Sequence, residues 1–115
     1  MVVVDYDPAW PANFEAIRTR LAQSLSAAFR IEHVGSTSVP GLRAKPIIDI
    51  DIEIPSPSDL PGIKAELEAL GYLHAGDQGI PGREAFKRLS CGDPILDRIP
   101  HHLYVCASDS PEYHR

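Results

Sequence analysis

Cysteine is nearly missing from this chain: two in 115 residues, Cys91 and Cys106. They sit far apart and form no Cys-x-x-Cys, which excludes a disulfide scaffold and every common structural zinc spacing, so both are expected as free thiols. Long apolar runs are absent as well, which excludes a helical membrane span. Positive charge is in short supply, 11 Lys and Arg against 16 Asp and Glu for a formal net charge of −5. With no basic stripe, broad electrostatic binding of nucleic acid is excluded, and any nucleotide would have to be met locally. The opening Met-Val-Val-Val-Asp lacks the charged start and cleavage site of a secretory leader, so a cytoplasmic location is expected. The length suits one domain with one core, residues 1–115.

Most of the chemistry lies in residues 31–54. Their second half, Ile48 to Ile54, alternates strictly. As a strand it puts Ile48, Ile50, Ile52 and Ile54 on one face and Asp49, Asp51 and Glu53 on the other. Three acids about 7 Å apart along a strand repel one another, so cationic neighbours or a metal ion must explain them. Arg43, Lys45 and Arg88 are the cationic candidates, while Asp49 and Asp51 are the candidate ligands of Mg²⁺ or Mn²⁺. Glu53 reads as a solvated rim residue.

The first half predicts a short strand, residues 31–34, that runs into Gly35-Ser36-Thr37-Ser38. Small residues there leave amides and hydroxyls open to an anion, although a Gly-Ser turn can equally be a plain strand exit. Pro40, Gly41 and Pro46 limit residues 37–45 to a loop or a single helical turn bearing Arg43 and Lys45. It is not a P-loop, because no Lys-Ser/Thr pair follows. Phosphate-binding groups beside hard oxygen ligands are a common design for a metal nucleotide, with Gly35, Ser36, Thr37, Arg43 and Lys45 on the phosphates.

Around this stretch, Val2 to Val4 suggests an entering strand, and Asp7-Pro8 a helix start. Phe14, Ile17, Leu21 and Leu25 mark an amphipathic helix over residues 11–28. Trp10 and Phe14 read as core. A second helix starts at Ser58 or Asp59 and ends at Gly71. Strands follow at residues 72–74, 84–90 and 101–106, with a Gly-rich loop at 76–82 and irregular chain at 91–100. His101 and His102 alternate, so at most one shares the carboxylate cleft. The same holds for Lys87 and Arg88. His33, His102 and Lys87 are further cleft candidates, with a hydrogen-bonded structural role the alternative for His33.

The string His33-Val34-Gly35-Ser36-Thr37-Ser38-Val39-Pro40-Gly41-Leu42, with Lys45-Pro46-Ile47-Ile48-Asp49, resembles the bacterial GrpB family. Gly35-Ser36 followed by Asp49-Ile50-Asp51 is similar to the wider nucleotidyltransferase signature. Tyr6-Asp7-Pro8, Trp10-Pro11, Gly71-Tyr72 and His101-His102-Leu103-Tyr104-Val105 extend the GrpB resemblance over nearly the whole chain.

The resemblance implies an α/β (α+β) domain of nucleotidyltransferase-like fold, a mixed β-sheet packed against helices. It also implies further helices beyond Arg115, so the chain is expected to lack C-terminal helices. Asp49 and Asp51 would carry over as the catalytic metal pair, with a nucleoside triphosphate or related nucleotide as partner. The superfamily's third carboxylate has no match in 101–105. Two functions stay open: transfer of a nucleotidyl group to an acceptor, or a non-catalytic nucleotide-sensing or protein-interaction module linked to dephospho-CoA kinase, to which some GrpB-like domains are fused.

Overall fold

Helix α1 (Trp10–Ser24) forms where Phe14, Ile17 and Leu21 share one stripe. The computed structural model describes residues 3–26, 29–76, 83–89 and 92–107, and it buries that stripe in the core. The helix is shorter than the periodicity predicts. At Leu25 the backbone turns extended, with φ −85° and ψ 138°, while the side chain stays in the core. Asp7 stabilises the turn before the helix rather than capping it. Its Oδ1 accepts the Ala9 N–H at 2.8 Å and its carbonyl accepts the Trp10 N–H at 3.0 Å. Trp10 and Phe14 are buried, as expected of core aromatics.

Among the described residues five strands follow: β1 (Arg30–Val34), β2 (Ile48–Ile54), β3 (Tyr72–Gly76), β4 (Arg83–Arg88) and β5 (His101–Ala107). They form one mixed sheet in the order β1-β2-β5-β4-β3, parallel between β2 and β5 and antiparallel at the other three pairings. A parallel pair cannot be closed by a hairpin. The crossover from β2 to β5 therefore carries α2 (Leu60–Ala69), β3, β4 and α3 (Pro94–Arg98). Gly71, at φ 93°, ends α2 as predicted and turns the chain into β3.

Helix α3 corrects the expectation of irregular chain at 91–100. Asp93 Oδ1 accepts the N–H groups of Ile95 at 3.1 Å and Leu96 at 3.0 Å, and Pro94 opens the helix. Arg20 of α1 reaches Asp93 at 2.6 Å and ties the helices together. Its Asp-Pro start was visible in the sequence, but five residues are too few to show a period. The Gly-rich loop at 77–82, Ser90 and Cys91 lie outside the described residues.

The core is one-sided. Ile48, Ile50, Ile52 and Ile54 are no more than 2% exposed and pack with Leu21 of α1, Ile63 and Leu67 of α2 and Leu96 of α3. Burial of each such side chain stabilises by about 1.5–3 kcal/mol. The helix-packed isoleucine face leaves the alternate side chains of β2 on the opposite face, where the site is built. Among the described residues, the expected entering strand shows one bridge, Val4 N–H to the Ala44 carbonyl at 2.9 Å and Ala44 N–H to the Val4 carbonyl at 3.0 Å.

Candidate functional site

The site starts at the end of β1, where Val34 pairs with Asp49 of β2. Gly35 takes φ 76°, ψ −168° and passes directly over the Asp49 side chain. A Cβ there would collide with Asp49 Oδ2 and lie 3.2 Å from its Cβ and Cγ. Glycine is therefore required twice, for the left-handed backbone and for the close approach. Ser36–Ser38 form a single 3-10 turn, which agrees with the predicted limit on the loop. Both the amide and the hydroxyl of Ser38 donate to the Gly35 carbonyl, at 3.1 and 2.6 Å.

The turn sorts the predicted phosphate ligands. Ser36 is exposed, but Thr37 is 2% exposed and its hydroxyl lies 2.9 Å from His33 Nε2. His33 pairs with Ile50, hence points to the helix side, and stacks on Phe14 with ring centroids 4.9 Å apart. Thr37, expected beside the phosphates, instead anchors the turn to the core, and His33 takes the hydrogen-bonded structural role that was its alternative to a place in the cleft. Burial pushes the His33 pKa down, partly opposed by the charge of Asp49.

Arg43 and Lys45 flank Ala44, which is 5% exposed and pinned by the bridge to Val4. With Ala44 turned inward, both cations line a cavity of about 300 Å³ together with Ser36, Asp49 and His102. Arg43 also reaches Asp5 at 3.0 Å. Among the expected cationic partners of the acidic strand, Arg88 is committed elsewhere, to Asp97 at 2.7 Å and the Leu70 carbonyl.

Parallel pairing sets His102 beside Asp49 and Tyr104 beside Asp51. His102 Nδ1 lies 3.1 Å from Asp49 Oδ1, with Asp49 as the acceptor. Asp51 is 6% exposed, deeper than Asp49, and stands opposite Glu32 of β1. Glu32 was missed from the sequence; only the β1–β2 register reveals it, and Arg30 reaches it at 2.6 Å. Arg30 Nη1 also comes within 3.9 Å of Glu53, the predicted rim residue.

His101 takes the opposite face, as alternation requires. Its Nδ1–H donates to the Ile99 carbonyl at 2.6 Å, so Nε2 accepts from the Tyr72 hydroxyl at 2.6 Å. Burial pushes its pKa down, and the positive charge of Arg88 adds to this. Lys87 is exposed and lines an adjoining depression with His102, not the cavity of Asp49.

Among the described residues no three His, Cys, Asp or Glu side chains converge as a ready-made metal cage. Two hard carboxylates on one strand face nevertheless fit Mg²⁺, which keeps several waters and completes its shell with substrate phosphates. The contact from His102 would orient the Asp49 carboxylate in such a site.

A family model described as GrpB protein matches residues 1–115. A UPF0157 protein of Pseudomonas aeruginosa is 54% identical over 107 residues, 90% of this chain and 42% of that protein. YqkA of Bacillus subtilis, also a UPF0157 protein, is 30% identical over 98% of this chain and 32% of its own length. A dephospho-CoA kinase of Mycolicibacterium paratuberculosis is 40% identical over 95% of this chain, a match covering 28% of the kinase. The crystal structure of conserved protein GrpB from Enterococcus faecalis superposes with a TM-score of 0.78 at 33% identity, covering 98% of this chain and 66% of that one. The chain thus spans less than half the length of these curated relatives, all of them bacterial.

Proposed function

The chain belongs to the GrpB family, and from that premise we propose that it binds a nucleoside triphosphate with Mg²⁺ or Mn²⁺ in a nucleotidyltransferase-like cleft. The supporting observation is the cavity in which Ser36, Arg43 and Lys45 stand around Asp49, beneath a glycine whose missing side chain makes room for that carboxylate. Asp49 and Asp51 hold the ion, the first oriented by His102. Ser36, Arg43 and Lys45 meet the phosphate oxygens, and the backbone of Gly35 lets the phosphates come close to the acids. A divalent ion, when bound, supplies polarisation of the α-phosphate and charge neutralisation at a departing pyrophosphate. The same reading puts the protein in the cytoplasm, where nucleotides are plentiful and a thiol such as Cys106 stays reduced.

Calorimetry with ATP, GTP, CTP, UTP and dephospho-CoA, each with and without Mg²⁺ or Mn²⁺, tests the reading. The expected result is metal-dependent binding of a triphosphate that weakens by more than about tenfold, or 1.4 kcal/mol, in Asp49→Asn/Asp51→Asn. Identical titrations for wild type and the double variant would sink it. The similarity to a segment of a dephospho-CoA kinase favours a second reading, a non-catalytic module that serves such a kinase. Metal-independent binding of dephospho-CoA that survives the double substitution would select this alternative.

A further inference from the structure

The sheet does not stay closed at the end where the site lies. The β4–β5 ladder runs from Arg83 opposite Cys106 to Phe86 opposite Leu103. Beyond that pair the strands part company: Lys87 and Arg88 remain paired with Leu73 and Tyr72 of β3, while His101 and His102 remain paired with Ile48 and Asp49 of β2. The parting opens a wedge of about 360 Å³ between β4 and β5, and His102 lines both this wedge and the Asp49 cavity. On the helix side, the Tyr72 to His101 hydrogen bond joins β3 to β5 across β4.

The charge lining the wedge is one-sided. In a chain of net charge −5, it is bordered among the described residues by Lys87, Arg88, His101, His102 and Tyr104 and by no aspartate or glutamate. Arg88 is occupied by Asp97 and by the Leu70 carbonyl, and both ring nitrogens of His101 are bonded. Lys87 is exposed at the mouth. Tyr104 is held by the Arg83 guanidinium, 3.6 Å above the centre of its ring.

We propose that this wedge is a second binding site, one that takes an oxyanion, the phosphoryl or carboxyl group of a small molecule, with Lys87 as its cationic anchor and the Tyr104 hydroxyl as a donor. Resting on the nucleotide reading, it makes the wedge the seat of the acceptor: His102 forms the wall between the two cavities, so an oxyanion held at Lys87 brings the rest of its molecule alongside the Asp49 cavity. An acceptor carrying both an anionic group and a nucleophilic one is the class this geometry selects.

The test uses ¹⁵N-labelled chain and two probes, inorganic phosphate and acetate, titrated separately at constant ionic strength with sodium chloride as the control. Mg²⁺ with ATP is titrated in parallel. The expected result is saturable shifts of the Lys87, Arg88 and His102 amides with at least one probe, absent with chloride, lost in Lys87→Gln and kept in Asp49→Asn. Magnesium nucleotide should show the reverse dependence, lost in Asp49→Asn and kept in Lys87→Gln. Phosphate acting alone identifies a phosphoryl site, and acetate acting equally a general oxyanion site. Shifts confined to Ser36, Arg43 and Lys45, shifts unchanged in Lys87→Gln, or none at all overturn the wedge. If magnesium nucleotide fails to bind wild type while Lys87-dependent shifts appear, the nucleotide reading falls and the oxyanion site stands. Because Lys87 is exposed, its variant keeps the wild-type spectrum elsewhere, and that spectrum reports folding.

Discussion

The two faces of β2 are built from the same seven residues, yet they solve opposite problems. On one face, four isoleucines are sealed by helices, and the few polar groups beside them, His33 with Thr37 and His101 with Tyr72, are hydrogen-bonded in pairs. On the other, Asp49, Asp51 and Glu53 follow one another at the spacing of a strand, where their mutual repulsion works against the fold. The first face supplies the stability that the second draws on. The contrast teaches that the acids are placed by the isoleucines: period-2 alternation fixes their side, and only a residue that leaves space, Gly35, can then pass over Asp49.

The comparison breaks most severely on the covered face. Ile50→Ala removes a side chain that is fully buried between sheet and helices and should lower unfolding free energy by roughly 2–5 kcal/mol in urea titrations. A cost of only a few tenths would mean the helices can close the gap. Next in size is Gly35→Ala, which forces a Cβ onto the Asp49 carboxylate and strains a positive φ. A loss of about 1–3 kcal/mol is expected, together with loss of metal-dependent nucleotide binding. Retained binding at reduced stability would separate the glycine from the site.

Acid sharpens the contrast further, because it acts on the covered face. Burial holds the pKa values of His33 and His101 below the ordinary 6.5, so the unfolded chain takes up protons that the folded one refuses. Stability is therefore whole above about pH 6.5 and declines as pH falls below it toward the folded values. Urea midpoints should drop between about pH 7.5 and about pH 5.5, and His101→Gln should flatten part of that slope. A level profile in the wild type would show that neither imidazole is held neutral. Asp93 acts lower: hydrogen bonds from Leu96 and Ile95 and the pairing with Arg20 depress its pKa below 3.8, so its contribution is present above that value and lost as pH falls through the folded one.

Several details were legible before any coordinates. Residues 48–54 could be read as a two-faced strand from alternation alone, and Gly71 as the end of a helix from its lack of a side chain. That at most one of His101 and His102 shares the carboxylate face followed from strand geometry. Helix α3 was too short to register, and the inward turn of Thr37 and His33 depended on where Phe14 happened to stand.

What the sequence determined by itself is local and periodic: which residues alternate, which turns need glycine, and which two aspartates share a face. Register and partnership were decided only by the tertiary structure. Glu32 opposite Asp51, His102 against Asp49, and the gap between β4 and β5 each depend on how strands distant in the chain slide past one another. A strand's own sequence fixes its two faces through bond geometry. Which neighbour lies across from each residue is set by the packing of the whole sheet against its helices, and that information is spread over the entire chain.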